Sequence, residues 1–365
     1  MIEPRPELSK LSDYVPGKSI EEIRERFGLS KVVKLASNEN PLGASPKAIA
    51  AFHEIANSLH LYPRGDAPKL IDAIAKKFGV KASQVIIGNG SDEIIDMVGK
   101  AFIRQGDNCV GITPTFSVYK FTTLSNGADF VGVGSGDGKT SLDELASAIN
   151  AKTRVAFVCN PNNPTGLYYS EAELREFLKK VPANVLVFLD EAYAEFATAS
   201  DYPDSAKLLK EFPNLFVNRT FSKIYGLAGL RVGYAVASED VVKAMWKIKP
   251  PFDVNQAAQV AAIAALGDTE HVEATRKMNA DGISTLKPVF EKLGFKVLPT
   301  QGNFICVHIG DRAKELVAFL EQNGMIIRGL SSFGLPEHVR ITLGKPEENE
   351  FLVELVKKWT TAINN

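Results

Sequence analysis

The stretch TFSKIYGLAGLR, residues 220–231, combines a lysine with groups that bind an anion. Lys223 directly follows Ser222, a glycine-rich run comes next, and Arg231 lies eight residues beyond the lysine. A lysine amine that can lose its proton forms a Schiff base with an aldehyde, and a hydroxyl with a guanidinium can hold a phosphate dianion. By itself this stretch is a weak signal, because most Ser-Lys pairs are solvated surface residues.

Two other stretches offer the partners that such a lysine needs. Asp190 lies in the apolar run VLVFLDEAY, and Asn163 lies in the loop CNPNNPTG. An ionised Asp190 would keep a pyridine nitrogen protonated, while Asn163 and Tyr193 could donate to a phenolic oxygen. Phe116 could stack on the ring, although core packing would explain Phe116 alone. Together these residues predict a site for pyridoxal 5'-phosphate.

A glycine-rich turn, GNGSDE at residues 88–93, lies between an apolar run and a helical pattern. In a strand-turn-helix unit of this kind, free backbone N–H groups point at whatever lies above the turn and favour an anion. Ser91 and Asp92 are therefore candidates for binding the phosphate. The alternative is an ordinary loop in which Asp92 and Glu93 only complement the helix dipole.

Short apolar runs alternate with amphipathic runs through the middle of the chain, as in NCVGI, DFVGV, RVAFVCN and VLVFLD. This alternation is typical of an α/β protein with a mostly parallel sheet covered by helices. Such a sheet binds its ligand at the carboxyl ends of its strands. The polar residues at 160–166, 190–193 and 222–223 follow predicted strands, so we expect them to meet at one edge.

The pattern changes near Pro250 and Pro251, where helical segments lead into a second, smaller set of strands and helices. We predict three parts: an N-terminal arm at 1–36, a large cofactor-binding domain at 37–255, and a small C-terminal α/β domain at 256–365.

Composition excludes several classes of function. The net charge of −1 over 365 residues offers no basic field for nucleic acid. No apolar run is long enough to span a membrane and the N-terminus lacks a signal-peptide core, so we expect a cytoplasmic protein. The three cysteines are far apart, and no histidines have metal-binding spacing, so we expect no metal.

The chain resembles the fold-type I aminotransferases, which depend on pyridoxal phosphate. Among them it is most similar to the group that acts on histidinol phosphate. The resemblance runs from about Tyr14 to the last helix and rests on these motifs: NENPLG, YPRGD, GNGSDE, PTFSVY, NPNNPTG, DEAY, SKIYGLAGLR, and the pair IIRG and VRITLG.

The resemblance implies a role for each matching residue. Lys223, Asp190 and Tyr193 would be catalytic, with Lys223 carrying the cofactor and moving the proton. Phe116 stands where many relatives have tyrosine, so stacking is kept and a hydroxyl is lost. The cofactor-binding set would be Lys223, Ser91, Asp92, Phe116, Asn163, Asp190, Tyr193, Ser222, Arg231 and Tyr62.

Tyr62 would reach the phosphate in a neighbouring subunit, which implies a homodimer. Arg328 and Arg340 resemble substrate-binding arginines, with Tyr14 closing over them. Two guanidinium groups suit either a phosphate or a carboxylate on the substrate.

The implied activity is transamination of L-histidinol phosphate with 2-oxoglutarate in histidine biosynthesis, with glutamate as the second product. An aromatic or broad-range aminotransferase is the nearest alternative, since the same arginines can bind a carboxylate. An amino-acid-phosphate decarboxylase and a regulator that only binds the cofactor are two further alternatives. The sequence leaves the choice of amino donor open.

Overall fold

The computed structural model describes residues 2–11, 17–134 and 136–364. The strands in chain order are β1 (Val33–Lys34), β2 (Val85–Gly88), β3 (Asn108–Ile112), β4 (Asp129–Val133), β5 (Thr153–Cys159), β6 (Leu186–Asp190), β7 (Leu215–Thr220), β8 (Gly233–Val236), β9 (Lys296–Val297), β10 (Phe304–His308), β11 (Met325–Ile326), β12 (Arg328–Gly329) and β13 (His338–Thr342).

Two helices have the N-terminal caps that their sequences predict. Ser45 caps the second helix with Pro46 at its first position, and Ser170 and Glu173 form a capping box at the start of the seventh. The α-helices are α1 (Ile20–Phe27), α2 (Pro46–Ile55), α3 (Pro68–Phe78), α4 (Ser91–Phe102), α5 (Val118–Ser125), α6 (Leu142–Ser147), α7 (Glu171–Lys180), α8 (Ser205–Glu211), α9 (Glu239–Trp246), α10 (Gln256–Leu266), α11 (Thr269–Lys292), α12 (Ala313–Gln322) and α13 (Pro346–Asn364).

A seven-stranded sheet in the order β2-β8-β7-β6-β5-β3-β4 dominates the larger part of the molecule. Strands β3 to β7 pair in parallel, whereas β8 runs antiparallel to both of its neighbours, β2 and β7. The predicted α/β fold with a mostly parallel sheet is confirmed.

Alternate residues of the central strands enter two different cores, as the period of a strand requires. On β6, Val187 and Leu189 belong to one core and Leu186 and Phe188 to the other. Helices therefore cover both faces of this sheet, and its strands are apolar throughout because both faces are buried.

A separate antiparallel sheet, in the order β12-β13-β10-β9, lies in the C-terminal part of the chain. Its core includes residues from α11, α12 and α13. The N-terminal strand β1 pairs in parallel with β11, and Val33 and Leu35 enter this C-terminal core. Helix α10, by contrast, packs against α2 and α3 in the core of the large sheet. The domain boundary near residue 255 stays a prediction.

Within the described parts of the chain, no helix combines the length and apolar character needed to cross a membrane.

Candidate active site

The parallel strands bring three predicted site residues to one edge of the large sheet. Asn163 follows β5, Asp190 ends β6, and Lys223 follows β7, and these three strands are neighbours. Because the strands run in the same direction, their carboxyl ends meet at the same edge. The predicted clustering of polar residues is therefore a consequence of the strand order.

Asp190 is a buried carboxylate with three hydrogen-bond donors. Its Oδ2 accepts from the Tyr119 hydroxyl at 2.6 Å, and its Oδ1 accepts from Asn218 Nδ2 and from the Ala192 amide, each at 3.2 Å. Burial raises the pKa of Asp190 to about 6, while these hydrogen bonds favour its charged form. The carboxyl group is therefore ionised at neutral pH, and it is held in one orientation.

Lys223 is a half-buried lysine whose amine is poised for chemistry. Its Nζ donates to the Ser37 carbonyl oxygen at 3.1 Å and lies 5.8 Å from the centre of the Tyr193 ring. Burial lowers the pKa of Lys223 to about 8, and the nearby Arg340 guanidinium acts in the same direction. A sizeable fraction of this amine is neutral near physiological pH, as a nucleophile or a base requires.

Asn163 and Tyr193 are each held by a residue from a distant part of the chain. Arg340 Nη1 donates to Asn163 Oδ1 at 2.5 Å, and Asn38 Nδ2 donates to the Tyr193 hydroxyl at 2.9 Å. Burial raises the pKa of Tyr193 to about 12, so its hydroxyl stays protonated and can donate a hydrogen bond.

Arg340 lies on β13 of the small sheet, and its charged side chain extends into this site. It is 7% exposed, its Nη2 donates to the Ala36 carbonyl oxygen at 2.7 Å, and its Nε is buried without a partner among the described residues. Arg328 is directly opposite Arg340 in the β12–β13 register and is half-buried. The two predicted substrate arginines are therefore neighbours.

The turn between β2 and α4 forms a cup that only glycine permits. Gly90 has a φ of +82°, and a Cβ added there would lie 2.3 Å from Arg231 Nη2. A Cβ on Gly233 would come within 2.7 Å of the Ser91 amide nitrogen. Arg231 Nη2 also lies 3.5 Å from Asp92 Oδ2. The N-terminus of α4 and the Arg231 guanidinium therefore lie close together, and both favour a bound anion.

Ser222 directly precedes Lys223, and Phe116 contacts Tyr119, which holds Asp190. Ser222 is buried, and its hydroxyl accepts a hydrogen bond from the Thr220 hydroxyl at 3.0 Å. Phe116 is half-buried and contacts Tyr119 edge to face, with ring centres 5.7 Å apart.

One predicted site residue, Tyr62, is not brought into this cluster. Tyr62 is 84% exposed and stacks on Phe252, with ring centres 4.9 Å apart. Tyr14 lies outside the described residues.

Sequence reasoning missed four residues of the site: Tyr119, Asn218, Asn38 and Thr342. The first two hold Asp190, and Asn38 holds Tyr193 while also bonding to the Thr342 hydroxyl. Tyr119 and Asn38 lie within the motifs PTFSVY and NENPLG, which was the available signal. Thr342 lies within the motif VRITLG, whereas Asn218 offered no signal beyond its place on a strand.

Comparison with known proteins identifies the family. Residues 30–356 match the family model described as aminotransferase class I and II, so the chain belongs to this family. The histidinol-phosphate aminotransferase of Brevibacillus brevis is 43% identical over 360 residues, which cover 99% of each chain. That of Moorella thermoacetica is 44% identical over 355 residues, covering 97% of this chain and 92% of its own.

A solved structure agrees with these sequence matches. The histidinol-phosphate aminotransferase of Sinorhizobium meliloti, crystallised in complex with pyridoxal-5'-phosphate, superposes with a TM-score of 0.90 at 25% identity. The match covers 98% of this chain and 97% of that one. The predicted relationship to fold-type I aminotransferases is confirmed.

Proposed function

We propose that this chain is a pyridoxal-phosphate enzyme that transfers the amino group of L-histidinol phosphate to 2-oxoglutarate in histidine biosynthesis. The main support for this proposal is that Lys223, Asp190 and Arg340 lie together at one edge of the large sheet. The chain also matches relatives with this activity over nearly their full length. The reaction needs these three groups: a reactive amine, a buried acid and a cation for an anionic substrate.

The residues present fit pyridoxal phosphate. The cup at Gly90 has no room for a Cβ, which suits close approach of a phosphate to the Ser91 amide and to Arg231. Ser222 would complete the phosphate site. Bound pyridoxal phosphate supplies an aldehyde that condenses with amines and a ring that stabilises negative charge at the substrate carbon.

Asp190 would accept a hydrogen bond from the protonated ring nitrogen. Its carboxyl is ionised at neutral pH, and it is buried, where a charge pair is strong. Asn163 and Tyr193 would bind the phenolic oxygen, and Phe116 would cover one face of the ring.

Lys223 would attach the cofactor and then act on the substrate. Its neutral amine would take the proton from the substrate α-carbon and hold it as an ammonium until the proton is returned. Burial supports this role because it keeps part of the amine unprotonated near pH 7.

Arg340 and Arg328 would bind the anionic end of the substrate. The Nε of Arg340, which has no partner in the described part of the chain, and the guanidinium of Arg328 offer donors to a phosphate or a carboxylate. Both 2-oxoglutarate and histidinol phosphate carry such a group, so one pair of arginines would serve both halves of the reaction.

We also propose that the enzyme works as a cytoplasmic homodimer in which Tyr62 completes the phosphate site of the neighbouring subunit. The exposed Tyr62 ring and the exposed Leu59, Leu61 and Phe252 give this surface an apolar character suited to a second copy. Light scattering of the purified protein would give its mass. A monomer with normal cofactor affinity would contradict this part.

A steady-state assay tests the proposed reaction. Purified protein loaded with pyridoxal phosphate should form glutamate from 2-oxoglutarate when L-histidinol phosphate is present. Faster glutamate formation with L-phenylalanine would assign the chain to the aromatic aminotransferases. Release of CO₂ without glutamate would assign it to the decarboxylases, and inactivity with every donor would favour the regulator.

A further inference from the structure

The hydrogen bonds of Asp190 leave one acceptor position free. A carboxylate has about four acceptor positions, two on each oxygen. Oδ1 accepts two hydrogen bonds, from Asn218 and the Ala192 amide, and Oδ2 accepts one, from Tyr119. Among the described residues, the second position on Oδ2 has no donor. A ligand N–H would therefore share Oδ2 with the Tyr119 hydroxyl.

Tyr119 can hold this hydrogen bond rigidly. It is fully buried, and its ring lies nearly parallel to that of Phe157, with centres 4.8 Å apart and planes at 10°. Phe188 contacts it from another side at 6.2 Å. A ring packed on several sides has little freedom to rotate, so the hydroxyl stays directed at Oδ2.

The same side chain also contacts Phe116, the residue proposed to cover the cofactor ring. The Phe116 and Tyr119 rings meet edge to face at 84°. Tyr119, which lies on α5, therefore touches both the acid proposed for the ring nitrogen and the proposed stacking residue.

We propose that Tyr119 is a positioning residue that keeps Asp190 ionised and directs its Oδ2 at the cofactor's ring nitrogen. This inference rests on the proposed function, because the role of Asp190 does. The hydroxyl stabilises the charged carboxylate more than the neutral acid, since the charge-assisted hydrogen bond is the stronger one. Loss of the hydroxyl raises the pKa of Asp190, and protonated Asp190 no longer accepts a hydrogen bond from a ring N–H.

The test is Tyr119→Phe, which removes the hydroxyl and keeps the ring. The matched control is Tyr234→Phe, since Tyr234 is also fully buried and its hydroxyl has no partner among the described residues. Dissociation constants for pyridoxal phosphate are measured by equilibrium dialysis from pH 5.5 to 9. In the wild type, affinity should fall as the pH drops and Asp190 gains a proton.

For Tyr119→Phe we expect the pH midpoint of cofactor affinity to rise by about one unit, so that the dissociation constant rises about eightfold at pH 5.5 and about twofold at pH 7. The Michaelis constant for the amino donor should stay within about twofold, because Tyr119 does not touch the substrate arginines. An unchanged midpoint in Tyr119→Phe, equal to that of Tyr234→Phe, would overturn the proposal and leave the proposed function intact.

A second measurement does not depend on the cofactor. Urea unfolding of the apoprotein is compared for the wild type, Tyr119→Phe, Asp190→Asn and the double variant between pH 5 and 8. The folded-state pKa of Asp190 lies above its ordinary value, so its ionisation costs stability as the pH rises through about 6. Because Tyr119→Phe should raise the pKa of Asp190, the variant should keep losing stability to a pH about one unit higher than the wild type does.

This additional loss should vanish when Asp190→Asn is present, because there is then no carboxyl to titrate. The proposal would be contradicted if Tyr119→Phe changed the pH dependence of stability equally in the wild type and in Asp190→Asn. If the wild type failed to bind pyridoxal phosphate at all, the proposed function would be wrong, whereas this apoprotein result would still report whether Tyr119 controls Asp190.

Discussion

The Arg340 guanidinium donates a hydrogen bond to the Asn163 side-chain oxygen at 2.5 Å, and this contact joins the small sheet to the large one. Arg340 lies on β13, and Asn163 lies in the loop after β5. The proposed substrate arginine and a proposed cofactor ligand therefore share one hydrogen bond.

Replacing Arg340 should harm substrate binding more than cofactor binding. For Arg340→Ala we expect the Michaelis constants for 2-oxoglutarate and histidinol phosphate to rise about tenfold to a hundredfold, because charge-assisted hydrogen bonds to the anion are lost. The dissociation constant for pyridoxal phosphate should change less than about fivefold, since Asp190 and Ser222 are held by hydrogen bonds that do not involve Arg340. Steady-state kinetics gives the Michaelis constants, and equilibrium dialysis gives the affinity for the cofactor. If Arg340→Ala weakened substrate and cofactor binding equally, Arg340 would not be the substrate-binding residue.

Replacing Lys223 should remove turnover. Lys223→Ala should lower kcat by about a thousandfold or more, because both the cofactor attachment and the proton transfer use this amine. The exposed Lys247→Ala serves as a control and should behave as the wild type. Turnover retained in Lys223→Ala would assign the proton transfer to another residue.

Capture of the cofactor by the apoprotein should depend on the protonation of Lys223. Only the neutral amine attacks the aldehyde, and the pKa of Lys223 is lowered to about 8 by burial. The second-order rate constant for pyridoxal phosphate binding, followed by stopped-flow absorbance, should rise with pH and level off above about 8. A midpoint near 10.5, the ordinary value for lysine, would show that burial does not tune this amine.

The cup at Gly90 should not tolerate a side chain. Gly90→Ala adds a Cβ that would lie 2.3 Å from Arg231 Nη2, at a backbone φ of +82° that disfavours other residues. We expect cofactor affinity to fall about tenfold or more, because Arg231 must move, and stability to fall by about 1 kcal/mol or more. The control is Gly229→Ala, where nothing lies within 4 Å of the added atom. Equal affinities by dialysis would place the phosphate elsewhere.

The order of strands and helices could be predicted because it depends on local patterns. The apolar runs predicted β3, β5 and β6. Polar residues at or just beyond the strand ends then pointed to Asp190 and Asn163. Lys223 was found because a lysine, a serine and an arginine stand at a distinctive spacing. Each of these features is contained in a short stretch of sequence.

Contacts between distant parts of the chain could not be predicted in this way. The pairing of β1 with β11 joins residues about 290 positions apart, and the bond between Asn38 and Tyr193 spans 155. The buried ion pair between Arg219 and Glu191, at 2.8 Å, has the same character. Such contacts follow from packing in three dimensions, which periodicity and motifs do not encode.

A single-turnover experiment shows whether histidinol phosphate is the amino donor. The cofactor-loaded protein is mixed with excess L-histidinol phosphate, without a keto acid, and the amount of pyridoxamine phosphate formed per site is followed in a single turnover. Parallel mixtures contain L-phenylalanine or L-glutamate. We expect one equivalent of pyridoxamine phosphate per site, formed faster with histidinol phosphate than with phenylalanine. No pyridoxamine phosphate with histidinol phosphate, in a protein that binds the cofactor, would contradict it.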